Sequence, residues 1–166
     1  MENWKIDAGL IYAREGNQKV KLGCPLLFAF IAWLLLVEYL KKESFDIAYF
    51  ELGTNIANRP INVIEERVGE FIDDFCKSFP DKKLFFTTPV RGLSDLSEFS
   101  LKYDKYFANA RKIITKHAKK YSNTQLIDGH KLCGKDYYMS ADLLHPSGFG
   151  HIMMGMYLAK KIKERL

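Results

Sequence analysis

Asp142 and His145 stand three positions apart in the run Asp142-Leu143-Leu144-His145-Pro146. At that spacing a carboxylate can hydrogen-bond the imidazole within one turn of chain. It would fix the tautomer and steady the imidazolium formed when the histidine takes a proton. Pro146 stiffens the turn, and Ser147 is a suitable cap for a following helix. The chemistry on offer is general-base catalysis, although an incidental histidine at the start of a helix would read the same way. A second place for chemistry is Gly53-Thr54-Asn55. The Asn55 amide could donate to an oxyanion, and Gly53 lets the backbone turn sharply and leaves room for a substrate. Glycine and asparagine are equally ordinary in a turn that ends a strand.

Metal and thiol chemistry find less support. His130 and Cys133 have a ligand-like spacing, but no second pair at zinc-site spacing accompanies them, so no metal is expected. Cys24, Cys76 and Cys133 make no even framework and no Cys-x-x-Cys pair. They read as ordinary thiols of a reducing, cytoplasmic compartment.

The elements that would carry these residues alternate in type. Residues 19–22 read as a short strand and 26–42 as a helix. The apolar run 45–52 reads as a buried parallel strand ending at Gly53. Ile64, Val68, Phe71, Ile72, Phe75 and Phe79 recur at helical spacing, and that helix stops before Pro80. Residues 83–88 form a third strand. Phe99, Tyr103, Tyr106, Phe107, Ala110, Ile114 and Ala118 mark another helix, 124–128 a fourth strand, and 147–165 a final helix. This rhythm predicts an α/β layer fold with a parallel sheet and helices on both faces. In such a sheet the site lies beyond the carboxyl ends of the strands. That directs attention to residues 23–24, 53–58, 89–94 and 128–146.

In this order and on these elements, the two motifs resemble those of the SGNH (GDSL-like) hydrolases. The third block of that family, Gly-x-Asn-Asp, reads here Gly53-Thr54-Asn55-Ile56, preceded by Glu51-Leu52. The fifth, Asp-x-x-His-Pro, reads Asp142-Leu143-Leu144-His145-Pro146 and continues Ser147-Gly148-Phe149-Gly150-His151-Ile152-Met153-Met154. The resemblance covers residues 45–166 and is faint over 19–40. It implies a three-layer, flavodoxin-like sheet, no cofactor and no metal. It also implies cleavage of carboxylic esters, with acetyl groups on sugars or acyl groups on lipids as substrates. His145 would be general base and then general acid, Asp142 would orient it, and Asn55 would donate to the oxyanion. Gly53 and Gly23 would lie beside the substrate.

The sequence departs from the family in three places. Ile56 replaces an aspartate. In Leu22-Gly23-Cys24-Pro25-Leu26, Leu26 stands where a second glycine would supply an oxyanion-hole N–H. The Gly-Asp-Ser block with the nucleophile is absent, and no serine precedes Ser44. Asp7-Ala8-Gly9 is its nearest echo. A better fit puts residues 3–14 on the family's first helix and 16–22 before its second strand. The expectation is therefore one domain over residues 1–166, N-terminally incomplete and lacking the first strand. Cys24 lies on the wrong loop to replace the serine, and a buried inert thiol is the expected reading. The chain reads as a serine ester hydrolase by family that is itself inactive or truncated. The alternative is a non-catalytic module that binds an acylated sugar or lipid in the surviving pocket.

Composition narrows the partners. With 48% hydrophobic and 27% charged residues the chain can bury one core. The net charge of +5 gathers in residues 111–120 and 160–165, which read as solvated helix surface, and no nucleic-acid motif is present. The apolar run 26–37 falls short of the roughly 20 residues that span a bilayer. It reads as a buried helix, with a membrane-inserted segment as the rival. Strand edges exposed by a missing strand would favour self-association.

Overall fold

Two runs rich in phenylalanine become neighbouring strands at the centre of the protein. In the computed structural model, which describes residues 6–7, 10–15, 18–23, 30–52, 57, 59–92, 95, 106–134 and 138–166, β4 (Ile47–Glu51) and β5 (Lys83–Thr87) pair in parallel, Phe50 opposite Phe86. Successive side chains of a strand point to opposite faces, and these strands use both. Ala48, Phe50, Leu84 and Phe86 join one buried cluster, with Val37 and Leu40 of α1 (Phe30–Lys41), α2 (Ile61–Ser78) and α3 (Tyr106–Ala118). Ile47 and Phe85 join another, with Ile127 of β6 (Thr124–Ile127) and Ile162 of α5 (Gly148–Lys163). Helices therefore cover both faces, as the near-continuous apolar strands require. Phe50 is the hub of the larger cluster. Its ring lies 4.6 Å from Phe75 and 5.3 Å from both Phe71 and Phe86.

Among the described residues, six strands form one sheet in the order β1-β2-β3-β4-β5-β6. The last four run parallel: β3 (Gln18–Gly23) pairs with β4, β4 with β5 and β5 with β6. Removing the first strand from a flavodoxin-like order of 2-1-3-4-5 leaves 2-3-4-5. That is the sequential order of β3 to β6. The strands that would flank the missing one pair directly, Val20 opposite Ile47 and Gly23 opposite Phe50, so no gap divides the sheet.

The N-terminal region corrects one expectation. The described residues in the range 3–14 are strand rather than helix. β1 (Ile6–Asp7) pairs antiparallel with β2 (Leu10–Glu15), and β2 pairs antiparallel with β3, Glu15 opposite Gln18. The sequence carries a signal for this pairing, because a Gly-Asn dipeptide such as Gly16-Asn17 is of the type that joins two strands. The other differences are small. The structure adds a short helix, α4 (Gly129–Leu132), capped by the Asp128 carboxylate accepting from the His130 N–H at 3.0 Å. Among the described residues no helix is long and apolar enough to cross a membrane.

Candidate active site

The carboxyl ends of the strands are knitted to one another before any site residue is added. The Leu52 N–H donates to the Thr87 carbonyl and the Thr88 N–H to that of Ile127, both at 3.1 Å. The Gly129 N–H donates to Thr88 Oγ1 at 2.9 Å. A Cβ at position 129 would lie 2.0 Å from the Thr88 carbonyl oxygen, so only glycine lets the chain after β6 cross the end of β5 this closely.

The turn that carries Asp142 and His145 is a closed loop seated on this edge. Met139 bridges Pro146, the Ser140 N–H donates to the His145 carbonyl at 2.8 Å, and the Ser147 N–H donates to that of Tyr138 at 2.7 Å. Val90, Leu132 and Cys133 pack beneath it with Tyr138 and Met139. The Ser147 hydroxyl donates to the Tyr138 carbonyl at 2.9 Å and accepts from the Gly150 N–H at 3.0 Å, which starts α5. A Cβ at position 150 would sit 1.9 Å from the Tyr138 carbonyl oxygen. The Pro146-Ser147-Gly148-Phe149-Gly150 run is thus what lets α5 rise directly from the turn.

At the tip of the loop Asp142 organises everything around it. Its Oδ2 accepts from His145 Nδ1 at 2.6 Å. Its Oδ1 accepts from the Ser140 hydroxyl at 2.6 Å and from the Leu144 and His145 N–H groups at 2.9 Å each. The carboxylate can only accept, so Nδ1 carries the proton and Nε2 is left as the basic nitrogen. The bond from the His145 ring, then the His145 N–H, the Ser140 hydroxyl and the Leu144 N–H, hold the Asp142 carboxyl well below the usual carboxylate range. Leu143, between the two, has a left-handed φ of 52°, which costs a branched residue about 1–2 kcal/mol. The four bonds to Asp142 offset that strain. The His145 and Asp142 side chains are 69% and 49% exposed, so the dyad faces solvent at the rim of the sheet.

The remaining sequence candidates are placed in part. Gly23 is the last residue of β3, level with Phe50 and hence on the same sheet edge. Gly53 and Asn55 lie outside the described residues, as does Cys24. His130 and Cys133 take separate partners: His130 Nε2 lies 3.1 Å from Asp95 Oδ1, and Cys133 Sγ lies 3.2 Å from Met139 Sδ.

Sequence reasoning missed a second polar cluster on this edge. Arg111 of α3 meets Asp95 with both terminal nitrogens, at 2.6 and 2.8 Å. It also donates to the Pro89 and Val90 carbonyls at 3.0 and 2.8 Å. The Gly92 N–H donates to Asp95 Oδ2 at 3.0 Å. Burial works to raise the Asp95 pKa. The Arg111 hydrogen bonds and charge outweigh it, helped by His130 and the Gly92 N–H, and the net shift is downward. Arg111 belongs to the basic stretch expected on a solvated surface. It is instead 15% exposed and turned inward, and no spacing in the sequence marks it out.

No family model matches the sequence, and no curated protein matches it. Solved structures do. The chain is similar to a peptidoglycan O-acetylesterase (16% identity, TM-score 0.60), over 72% of this chain and 37% of that one. It is similar to a lipase/acylhydrolase from Enterococcus faecalis (22% identity, TM-score 0.58), over 78% and 69% of the two chains. It is also similar to an aryl esterase from M. smegmatis (15% identity, TM-score 0.61), over 81% and 68%. The chain spans well under half the length of the first of these. With its four parallel strands, its helices on both faces and its aspartate–histidine turn on the carboxyl edge, the chain has the fold of the SGNH, GDSL-like esterases and lipases.

Proposed function

We propose that the chain carries the base half of an ester-hydrolysing site and lacks the nucleophile half. The observation that supports this is the 2.6 Å contact between Asp142 Oδ2 and His145 Nδ1 on the carboxyl edge of an esterase fold. With a serine opposite Nε2, His145 takes the hydroxyl proton as the oxygen attacks the ester carbonyl. The tetrahedral oxyanion is met by the Asn55 amide. His145 returns the proton to the leaving alcohol, and water then cleaves the acyl-serine with the same base. The substrate class by resemblance is an acetyl or acyl ester of a sugar or lipid.

No Gly-Asp-Ser block lies ahead of β4 in the sequence. Among the described residues the Ser140 hydroxyl donates to Asp142, the partner of Nδ1, rather than meeting Nε2. It braces the carboxylate and is poorly placed to be activated. Loss of the nucleophile from a hydrolase triad lowers turnover on the order of 10⁶-fold, so this chain by itself turns over esters barely above background. Aryl-acetate hydrolysis by the purified chain tests this. Brisk turnover abolished by His145→Ala would overturn it, and saturable binding of an acylated sugar without turnover would favour a binding module instead.

A further inference from the structure

The Asp142–His145 dyad is exposed, yet the turn that carries it is not held by its own hydrogen bonds alone. A Cβ at Gly92 would lie 3.1 Å from the Leu143 carbonyl oxygen and 3.1 Å from Phe107 Cε2. The backbone after β5 therefore passes so close to the left-handed residue between Asp142 and His145 that a side chain there would crowd it. Gly92 is in turn fixed to Asp95 twice, its N–H donating to the Asp95 carboxylate and its carbonyl accepting from the Asp95 N–H. Asp95 is gripped by the Arg111 guanidinium, which also holds the Pro89 and Val90 carbonyls. Arg111 lies 5.8 Å from the Phe107 ring, and Phe107 is buried. One guanidinium on α3 thus sets the path of the loop that supports the catalytic turn.

From this geometry we infer that Gly92, held in place by the Asp95–Arg111 pair, is a positioning residue that orients the His145 imidazole through the Leu143 carbonyl. The inference rests on reading His145 as the base and deepens that reading. A side chain at position 92 meets Phe107 on one side, which is buried and braced by Arg111. On the other it meets an exposed turn strained at Leu143. The turn gives way, and the ring nitrogen is carried off the Asp142 oxygen. Releasing Asp95 has the same result by another route, because the Gly92 N–H loses its anchor and the support recedes from Leu143.

The test reads the imidazole itself and needs no turnover. Histidine-labelled ¹⁵N protein of the full chain reports the tautomer of each ring by long-range ¹⁵N–¹H correlation. In the unaltered chain His145 should be held as the Nδ1–H form, whereas a free imidazole favours Nε2–H. Gly92→Val should lower the ratio of Nδ1–H to Nε2–H at His145 about tenfold, the weight of one hydrogen bond to a charged group. Gly92→Ala should lower it less, and Arg111→Gln should act like the valine without adding bulk at the contact. The His117 ring, buried between α2 and α3 with Nε2 2.9 Å from Glu65 Oε1, shows in the same spectrum that the domain is folded. A purely structural role for position 92 would move stability and leave the His145 tautomer alone. An unchanged His145 tautomer in Gly92→Val with the His117 signal intact overturns the inference, and the alanine variant decides the matter should the valine unfold the chain. A free-histidine mixture in the unaltered chain would instead sink the dyad and the functional reading with it.

Discussion

A single carboxylate, that of Asp142, binds both the ring and the backbone of His145: Oδ2 accepts a hydrogen bond from Nδ1 at 2.6 Å while Oδ1 accepts one from the His145 N–H at 2.9 Å. Ring orientation and chain path are therefore set by the same side chain.

The depressed pKa of Asp142 has a consequence for acid stability. A group whose folded pKa lies below its unfolded value contributes stability above the unfolded value, about 3.9 for aspartate, and loses it as the pH falls through the folded value. The carboxyl ¹³C shift of Asp142 should titrate below the ordinary aspartate range. Asp142→Asn should remove the part of the acid-limb slope that this group supplies and release the His145 ring. Because the group is exposed, the effect on stability is small while that on the ring is large. An Asp142 titration in the ordinary range would contradict the bonding described above.

Breaking the Asp95–Arg111 pair should be costly. Both side chains are largely buried, at 11% and 15% exposure, and removing one partner leaves the other charge stranded. Arg111→Ala should lower the unfolding free energy by about 3–5 kcal/mol, seen as a lower urea midpoint with an unchanged slope. A loss below about 1 kcal/mol would place the pair among ordinary surface ion pairs.

Two glycines of α5 should respond in opposite directions. Gly150→Ala puts a methyl carbon 1.9 Å from the Tyr138 carbonyl oxygen and should destabilise by about 1–3 kcal/mol. Nothing lies within 4 Å of a Cβ at Gly155, so Gly155→Ala should stabilise the helix by about 0.5–1 kcal/mol. Thermal melts of the two variants, shifted to opposite sides of the unaltered chain, would bear this out.

What was legible in the sequence depended on how local its cause is. The apolar runs that became β4 and β5, the helical spacing of Ile64 to Phe79 and the Ser147 cap are fixed by neighbours in the chain, and the structure has them within two or three residues. The aspartate–histidine turn was legible for the same reason, since the bonds to Asp142 close within the six residues from Ser140 to His145. The Asp95–Arg111–His130 cluster was not, because its members come from three elements and meet only after the sheet has formed. Arg111 sits among lysines that do face solvent, and no spacing rule separates it from them. The pairing of β2 with β3 is signalled by Gly16-Asn17, but the family pattern points to a helix there.

Fluorophosphonate labelling followed by peptide mass mapping tests the central claim most directly. The chain alone should take up almost no label. The same chain extended upstream by a strand and a Gly-Asp-Ser segment, which must open the direct pairing of β3 with β4, should be labelled at the added serine. His145→Ala should abolish that labelling. Stoichiometric labelling of one of the chain's own serines, lost in His145→Ala, would contradict the account, because it would place the nucleophile within the residues already present.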